Sequence, residues 1–291
     1  MNCNLCAFNC NVDRENYIGK CKCGTLPKIS LVSVHNWEEP CISGTNGSGT
    51  VFFSGCNFNC VFCQNHEISQ SRFGKEVSIQ RLADIFLEQQ ERGVHNINLV
   101  SPTQYVYSII KALDIAKKQG LSIPVVYNTN SYENIETIKM LNGYIDIYLP
   151  DLKYYDDTIG IEYSKAPHYF ETASRAILEM YYQVGNATFD DKGIMRKGVI
   201  IRHLILPNHI TDTKNILNWI EKNLPKEIYI SVMAQYFPAY KAKENKLLNR
   251  KISKREYELV LKMVSKFENG YIQELSDCEE EYVPKFDLSG C

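Results

Sequence analysis

Three cysteines stand close together directly after an apolar run in the first quarter of the chain. Cys56, Cys60 and Cys63 follow the run TVFF at residues 50–53. A cubane iron–sulfur cluster has four irons and normally takes four thiolates, so a loop with three leaves one iron open to an exogenous ligand. An open coordination position is typical of catalytic metal sites. The same three thiolates could instead hold zinc, with His66 as the fourth ligand.

A second group of cysteines lies at the start of the chain, where residues 1–24 are rich in Asn, Lys and Gly. Its members are Cys3, Cys6, Cys10, Cys21 and Cys23. So few apolar side chains accompany them that hydrophobic burial alone would not order the segment, whereas metal binding would. We therefore expect a second metal site here, either zinc or an iron–sulfur cluster, with ordinary free thiols as the alternative.

The overall composition argues against several classes of partner. The chain has 291 residues, a formal charge of −2 and a pI near 6.3, so no broad basic field attracts nucleic acid or an anionic membrane. The start has no secretory signal pattern, and no apolar run reaches the ~20 residues that span a bilayer. We therefore expect a cytoplasmic protein. In that reducing compartment its 11 cysteines should serve metal or redox chemistry rather than disulfides.

Strand-like and helix-like patterns alternate through the rest of the chain. Strands are predicted at residues 28–37, 50–53, 97–101, 123–128, 144–152, 198–206 and 228–234. Helices are predicted at residues 78–93, 105–120, 132–143, 169–184, 211–223 and 254–267. Six of the strands alternate with helices, which predicts a parallel α/β sheet in the form of a partial (β/α)6 barrel. We expect a cysteine-rich N-terminal extension (1–48), the barrel core (49–275) and a C-terminal tail (276–291).

Polar side chains follow the predicted strands, at the edge where parallel α/β folds place their functional residues. They are Ser101, Thr103, Asn128, Asn130, Asp151, Lys153, Arg202 and His203. Their types suit a zwitterionic ligand, which needs donors for a carboxylate and acceptors for an ammonium group. Asp151 and Lys153 could instead form a structural ion pair. Arg202 and His203 could lie at a solvated edge, and Asn128 and Asn130 could cap the helix predicted from Tyr132.

The spacing Cys56-x3-Cys60-x2-Cys63, with Phe62 before the third cysteine, resembles the cluster loop of the radical S-adenosylmethionine superfamily. The similarity extends over most of the chain. Several segments are similar to the subgroup of pyruvate formate-lyase activating enzyme-like proteins: EEPCISGTNGSGTVFFSGCNFNCVFCQNHEIS, INLVSPTQY, VYNTNSY, DIYLPDLKYYD, IIRHLILP and MAQYFPAY. One departure is that Ser101-Pro102-Thr103 stands where many members carry Gly-Gly-Glu, which removes a carboxylate that would meet the cofactor ammonium.

This resemblance implies a chemistry and a set of ligands. Cys56, Cys60 and Cys63 would hold a 4Fe–4S cluster, and its open iron would bind the amino and carboxylate groups of S-adenosylmethionine. Phe62 and the polar strand-end residues would complete the cofactor site. Reductive cleavage of the cofactor would give a 5′-deoxyadenosyl radical that abstracts hydrogen from a substrate, so the protein would be a radical oxidoreductase.

The same resemblance implies partners. The enzyme would take electrons from a donor such as flavodoxin or ferredoxin, and its substrate would be a glycyl-radical protein, as for an activase, or a peptide. A different class of function also stays open, namely a non-catalytic iron–sulfur electron carrier or a zinc-binding interaction module. Such a protein would not need polar strand ends to converge near the cysteine loop.

Overall fold

Parallel strands form the centre of the fold. The computed structural model describes residues 3–275 and 284–291. Its strands are β1 (Lys28–His35), β2 (Ser48–Phe53), β3 (Lys75–Glu76), β4 (Ile97–Val100), β5 (Val125–Thr129), β6 (Ile147–Pro150), β7 (Thr188–Phe189), β8 (Met195–Leu204), β9 (Tyr229–Met233) and β10 (Gly270–Ile272). Parallel pairing runs in the order β2, β4, β5, β6, β8, β9, β10. The predicted α/β fold with six parallel strands is confirmed, and β10 adds a seventh.

Helices connect these strands and cover the sheet. They are α1 (Pro40–Ser43), α2 (His66–Ser69), α3 (Ile79–Glu91), α4 (Val106–Lys118), α5 (Ile135–Met140), α6 (Asp157–Ser164), α7 (Tyr169–Val184), α8 (Ile210–Asn223) and α9 (Lys254–Val264). The start of α3 shows how the sequence sets a boundary, because the Ser78 side chain accepts a hydrogen bond from the Arg81 N–H. None of the helices in the described residues is long and apolar enough to span a bilayer.

The sheet is an open, partial barrel. At one edge β1 pairs antiparallel with β2, and β3 pairs antiparallel with β1, while β10 forms the other edge. Every residue of β2 and of β5 is buried, as expected for parallel strands that helices cover on their faces. The carboxyl ends of the parallel strands are therefore the place where this sheet can present polar side chains to a ligand.

Two predicted boundaries differ from the structure. The helix predicted from residue 132 to 143 spans only α5, because Ser131 adopts a left-handed φ of 66° and the turn continues to Asn134, the N-cap of that helix. The predicted division between extension and core at residue 48 falls inside the sheet. It separates β1 from β2, although these two strands pair antiparallel, with one irregularity in the register between Ile29 and Leu31.

The end of the chain returns to the first strand. Residues 276–283 of the predicted tail lie outside the described residues. In residues 284–291, the Ser289 carbonyl accepts a hydrogen bond of 2.9 Å from the Val32 N–H in β1. The sequence predicted no element here because the contact is made with a strand that is distant along the chain.

Candidate active site

A cavity of about 510 Å³ lies at the carboxyl ends of the parallel strands. Nine residues predicted from the sequence line it: Cys56, Cys60, Cys63, Ser101, Asn128, Asn130, Asp151, Lys153 and Arg202. Each lies near the carboxyl end of β2, β4, β5, β6 or β8, or in the loop that follows. The parallel topology therefore brings the three-cysteine loop and the polar strand ends to one cavity.

Each sulfur of the cysteine loop has a hydrogen-bonding neighbour. Cys56 Sγ lies 3.4 Å from the main-chain N–H two residues further along, and the Ser164 hydroxyl donates to Cys60 Sγ at 2.9 Å. The Ser69 hydroxyl lies 3.2 Å from Cys63 Sγ. Hydrogen bonds to ligand sulfurs help to set the reduction potential of an iron–sulfur cluster. The sequence reasoning missed both serines, because they lie on the short helices α6 and α2, which it did not identify.

Amide side chains fix the cysteine loop to neighbouring strand ends. Asn130 Nδ2 donates to Asn57 Oδ1 at 2.7 Å, and Asn57 Nδ2 donates to the Tyr132 carbonyl at 3.2 Å. Gln104 Nε2 donates to the Gly55 carbonyl at 3.0 Å. Asn130 Oδ1 also accepts from the Tyr132 N–H at 3.0 Å, so this asparagine does cap a turn while it lines the cavity. The loop is thus held at the ends of β4 and β5.

The three loop cysteines are half-buried, and their surroundings favour metal binding over free ionisation of the thiols. Burial raises the pKa of all three, that of Cys60 to about 11, while the charge of Lys153 acts in the opposite direction on each. The thiols are therefore protonated near neutral pH until a bound metal displaces the protons.

A single zinc ion at this loop is disfavoured. A structural zinc site takes four protein ligands, so the three thiolates would need a fourth. His66, the expected fourth ligand in the zinc alternative, stacks on the Tyr240 ring with centroids 4.7 Å apart. A 4Fe–4S cluster that takes three thiolates and leaves one iron open needs no fourth ligand from His66.

A largely buried network of charges lines the same cavity as the cysteine loop. Asp151 accepts hydrogen bonds from Lys153 Nζ at 2.7 Å and from Arg202 Nε at 3.0 Å. The Arg202 guanidinium also lies 3.3 Å from Glu38 and donates to Asn128 Oδ1. Burial alone would raise the pKa of Asp151, but Lys153 and Arg202 outweigh it and lower that pKa. The expected ion pair therefore exists, and a solvated edge is the wrong description of Arg202, whose side chain is 12% exposed.

Glu38 is a cavity residue that the sequence reasoning missed. It follows β1, lines the cavity and accepts a hydrogen bond of 3.1 Å from Asn98 Nδ2. The adjacent Glu39 is buried, and one of its carboxylate oxygens has no hydrogen-bond partner among the described residues. Burial raises the pKa of both carboxyl groups. The feature of the sequence that could have identified Glu38 is the acidic pair Glu38-Glu39, which directly follows the strand predicted at residues 28–37.

His203 is not in the cavity, which corrects its prediction as a cofactor residue. It follows Arg202 in β8, so its side chain points to the opposite face of the sheet. Its Nδ1 donates to the Leu152 carbonyl at 2.7 Å, and its Nε2 accepts from the Thr213 hydroxyl at 2.9 Å. Both ring nitrogens are therefore used in packing α8 against the sheet.

Phe62 and Thr103 also lie outside the cavity lining, contrary to the prediction. Phe62 is buried and packs edge-on against Tyr236 with ring centroids 5.9 Å apart, so it supports the loop from behind. Thr103 donates a hydrogen bond of 3.1 Å to Glu133. Burial raises the pKa of Glu133 to about 7. The segment Ser101-Pro102-Thr103, which stands in place of Gly-Gly-Glu, therefore contacts a buried carboxyl group through Thr103. Ser101 has a φ of 55° and lines the cavity.

The N-terminal cysteines lie together behind the cysteine loop and do not line the cavity. Cys3 and Cys23 are buried, and the other three are half-buried, namely Cys6, Cys10 and Cys21. The contact with the loop is close, because a Cβ atom on Gly55 would lie 2.2 Å from Cys23 Sγ.

The fold and the cavity agree with one class of protein. Residues 50–220 match the Radical SAM superfamily, and the chain belongs to that superfamily. Its members use a 4Fe–4S cluster with S-adenosylmethionine and need an electron donor. The residues of this chain fit both cofactors, because three half-buried thiols with hydrogen-bonded sulfurs border a cavity that carries carboxylate, ammonium and guanidinium groups.

Known proteins resemble this chain to different degrees. Uncharacterized protein MJ0674 of Methanocaldococcus jannaschii is 35% identical over 276 residues, which cover 91% of this chain and 75% of the relative. The FeFe-hydrogenase maturase HydG from Carboxydothermus hydrogenoformans has a TM-score of 0.50 at 14% identity, covering 79% of this chain and 55% of HydG. Streptococcus suis SuiB bound to S-adenosylmethionine has a TM-score of 0.49 at 16% identity, and the match covers 75% of this chain and 48% of SuiB. The chain spans about half the length of these solved structures, and the likeness to HydG shows the fold alone.

The buried, neutral His203 predicts a specific loss of stability in acid. Burial lowers its pKa from 6.5 to about 4 in the folded protein, so the unfolded chain binds a proton first as the pH falls. Compared with His203→Asn, the wild type should lose up to about 3 kcal/mol of unfolding free energy between pH 6.5 and about 4. Urea unfolding at each pH measures this loss. The exposed His168→Asn should follow the wild type, and parallel pH curves for wild type and His203→Asn would contradict the assignment.

Proposed function

We propose that this protein is a radical enzyme that reductively cleaves S-adenosylmethionine and uses the product to remove hydrogen from a substrate. One observation carries the proposal: the three-cysteine loop and the buried charge network border the same cavity. When bound, the cluster and S-adenosylmethionine supply one-electron cleavage to methionine and a 5′-deoxyadenosyl radical. The chain's own residues bind, orient and shield this pair.

The charge network gives the cavity groups of both signs for the zwitterionic part of the cofactor. Lys153 and Arg202 offer donors to a carboxylate, and Asp151 offers an acceptor to an ammonium group or to ribose hydroxyls. Because these side chains already hold one another in place, they lose little freedom when a ligand binds. Ser101 and Asn130 add uncharged polar groups next to the loop.

The alternative of a non-catalytic electron carrier or zinc module is less well supported. A carrier needs its cluster near the surface and gains nothing from a cavity of about 510 Å³. Burying Asp151, Lys153 and Arg202 also costs desolvation free energy, which a purely structural role would avoid with apolar side chains. Perturbed, buried charges in a cleft are instead typical of functional sites.

The first prediction concerns cofactor cleavage. Anaerobically reconstituted protein, given S-adenosylmethionine and a strong reductant, should form 5′-deoxyadenosine, measured by chromatography. Cys60→Ala should reduce this to the background level because one iron loses its thiolate. Cys291→Ala, whose thiol lies outside the cavity, should retain the wild-type rate. Cluster assembly without product in the wild type, or equal rates in the two variants, would contradict the proposal.

A second prediction concerns cofactor affinity. Lys153→Met removes a charged donor from the cavity, so binding of S-adenosylmethionine to the cluster-loaded protein should weaken about 10- to 100-fold. Equilibrium dialysis with equal iron content in all samples measures the change. Lys139→Met, which removes an exposed lysine on α5, is the matched control and should bind as the wild type does. Equal affinity in both variants would exclude Lys153 from the cofactor site.

The finer form of the proposal is a glycyl-radical activase of the pyruvate formate-lyase activating enzyme-like subgroup. It rests on the similar segments around the cysteine loop and strand ends. The cavity lining also includes His35, Trp37, Gln235 and Gln273, which suit the polar main chain of a peptide or protein loop. Flavodoxin or ferredoxin would supply the electron.

A spectroscopic experiment tests the activase role separately. The protein is mixed with S-adenosylmethionine, reductant and each glycyl-radical protein encoded in the source genome, and the partner is examined by electron paramagnetic resonance. One partner should gain a glycyl radical, and the Cys60→Ala variant should give none. If 5′-deoxyadenosine forms while every candidate stays free of radical, the activase role is wrong, although the cleavage proposal stands.

A further inference from the structure

Residues 3–24 are held against the core by polar contacts and by apolar side chains. Cys6 forms a single β-bridge with Glu133, and Asn134 Nδ2 donates to the Cys6 carbonyl at 3.2 Å. Leu5 contributes a buried apolar side chain. Asn9 adopts a left-handed φ of 42°, which asparagine tolerates better than most residues, and so reverses the chain. These contacts fix the backbone that carries the five N-terminal cysteines.

The turns in this segment bring its thiols close together. A Cβ atom on Gly19 would lie 3.2 Å from Cys10 Sγ and 3.7 Å from Cys21 Sγ, so the glycine leaves the space that both sulfurs border. Cys10 Sγ is 3.9 Å from the Cys3 carbonyl. The sulfurs of Cys10 and Cys21 therefore border one small space, and the main chain of Cys3 lies beside it.

Arg14 places a positive charge beside these thiols. Arg14 is 7% exposed. Among the described residues, its guanidinium donates hydrogen bonds only to main-chain carbonyls, including that of Cys23 at 3.3 Å. No carboxylate in the described part of the chain forms an ion pair with it. Burying a charge without a counter-charge is costly. A thiolate-bound metal centre would supply the missing negative charge.

We propose that four of the five N-terminal cysteines, Cys10 and Cys21 among them, hold a second iron–sulfur cluster, with Arg14 as its counter-charge. Four cysteines match the four irons of a 4Fe–4S cluster. Cys10 and Cys21 border the space at Gly19, and the Cys23 thiol lies next to Cys21, 3.3 Å from its carbonyl oxygen. This site does not depend on the proposed catalytic function.

Iron and sulfide analysis of full-length, anaerobically prepared protein tests this proposal. The wild type should hold about eight irons, and the Cys56, Cys60 and Cys63 triple alanine variant about four, with matching sulfide. Replacing Cys10 and Cys21 together by Ala should bring the wild-type chain from about eight irons to about four, whereas the control Cys41→Ala, which changes a buried thiol outside the N-terminal segment, should keep about eight. Four irons in the wild type, or zinc in place of iron in the triple variant, would overturn the cluster. Equal iron contents in the double variant and in Cys41→Ala would overturn the ligand assignment.

The counter-charge role of Arg14 has its own readout. In the triple alanine background, Arg14→Gln should lower the midpoint potential of the remaining cluster, because reduction adds negative charge that a cation stabilises. Arg14→Lys keeps the charge and should stay close to the parent value. Potentiometric titration followed by electron paramagnetic resonance measures both. Equal potentials in the two variants would overturn the role assigned to Arg14.

Discussion

The cavity depends on a small network of buried charges at the carboxyl ends of the strands. Asp151 holds both Lys153 and Arg202, and Arg202 reaches Glu38, which belongs to the segment after β1. None of these side chains would be stable there alone, because each buried charge needs its partners. The network therefore ties the first antiparallel strand to the parallel sheet and leaves charged groups of both signs facing one cavity.

The cysteine loop is placed by polar contacts of a different kind. Amide side chains from neighbouring strand ends hold its backbone, and hydroxyl groups on two short helices approach its sulfurs. These contacts fix the thiols relative to the charge network before any metal is bound. The cost of burying neutral thiols is small, and binding a cluster converts them to thiolates that the nearby Lys153 stabilises. The loop and the network thus form one site, although they come from separate parts of the sequence.

Much of this arrangement was predictable because it follows from strand order. The alternation of strands and helices places Asn128, Asp151 and Arg202 at the same edge as the cysteine loop, and all of them line the cavity. The direction of individual side chains was harder to predict. His203 was assigned with Arg202, although neighbours on a strand face opposite sides. Glu38 was missed because its place in the cavity depends on the antiparallel pairing of β1, which a local pattern does not show.

The central claim is that the cysteine loop and the charge network act on one bound cofactor. The most direct measurement is the electron paramagnetic resonance spectrum of the reduced loop cluster with and without S-adenosylmethionine labelled with oxygen-17 in its carboxylate. Our account predicts shifted g-values and a resolved coupling to the labelled oxygen, because the iron without a thiolate is open to the cavity. An unchanged spectrum under conditions in which dialysis shows the cofactor to be bound would contradict the account.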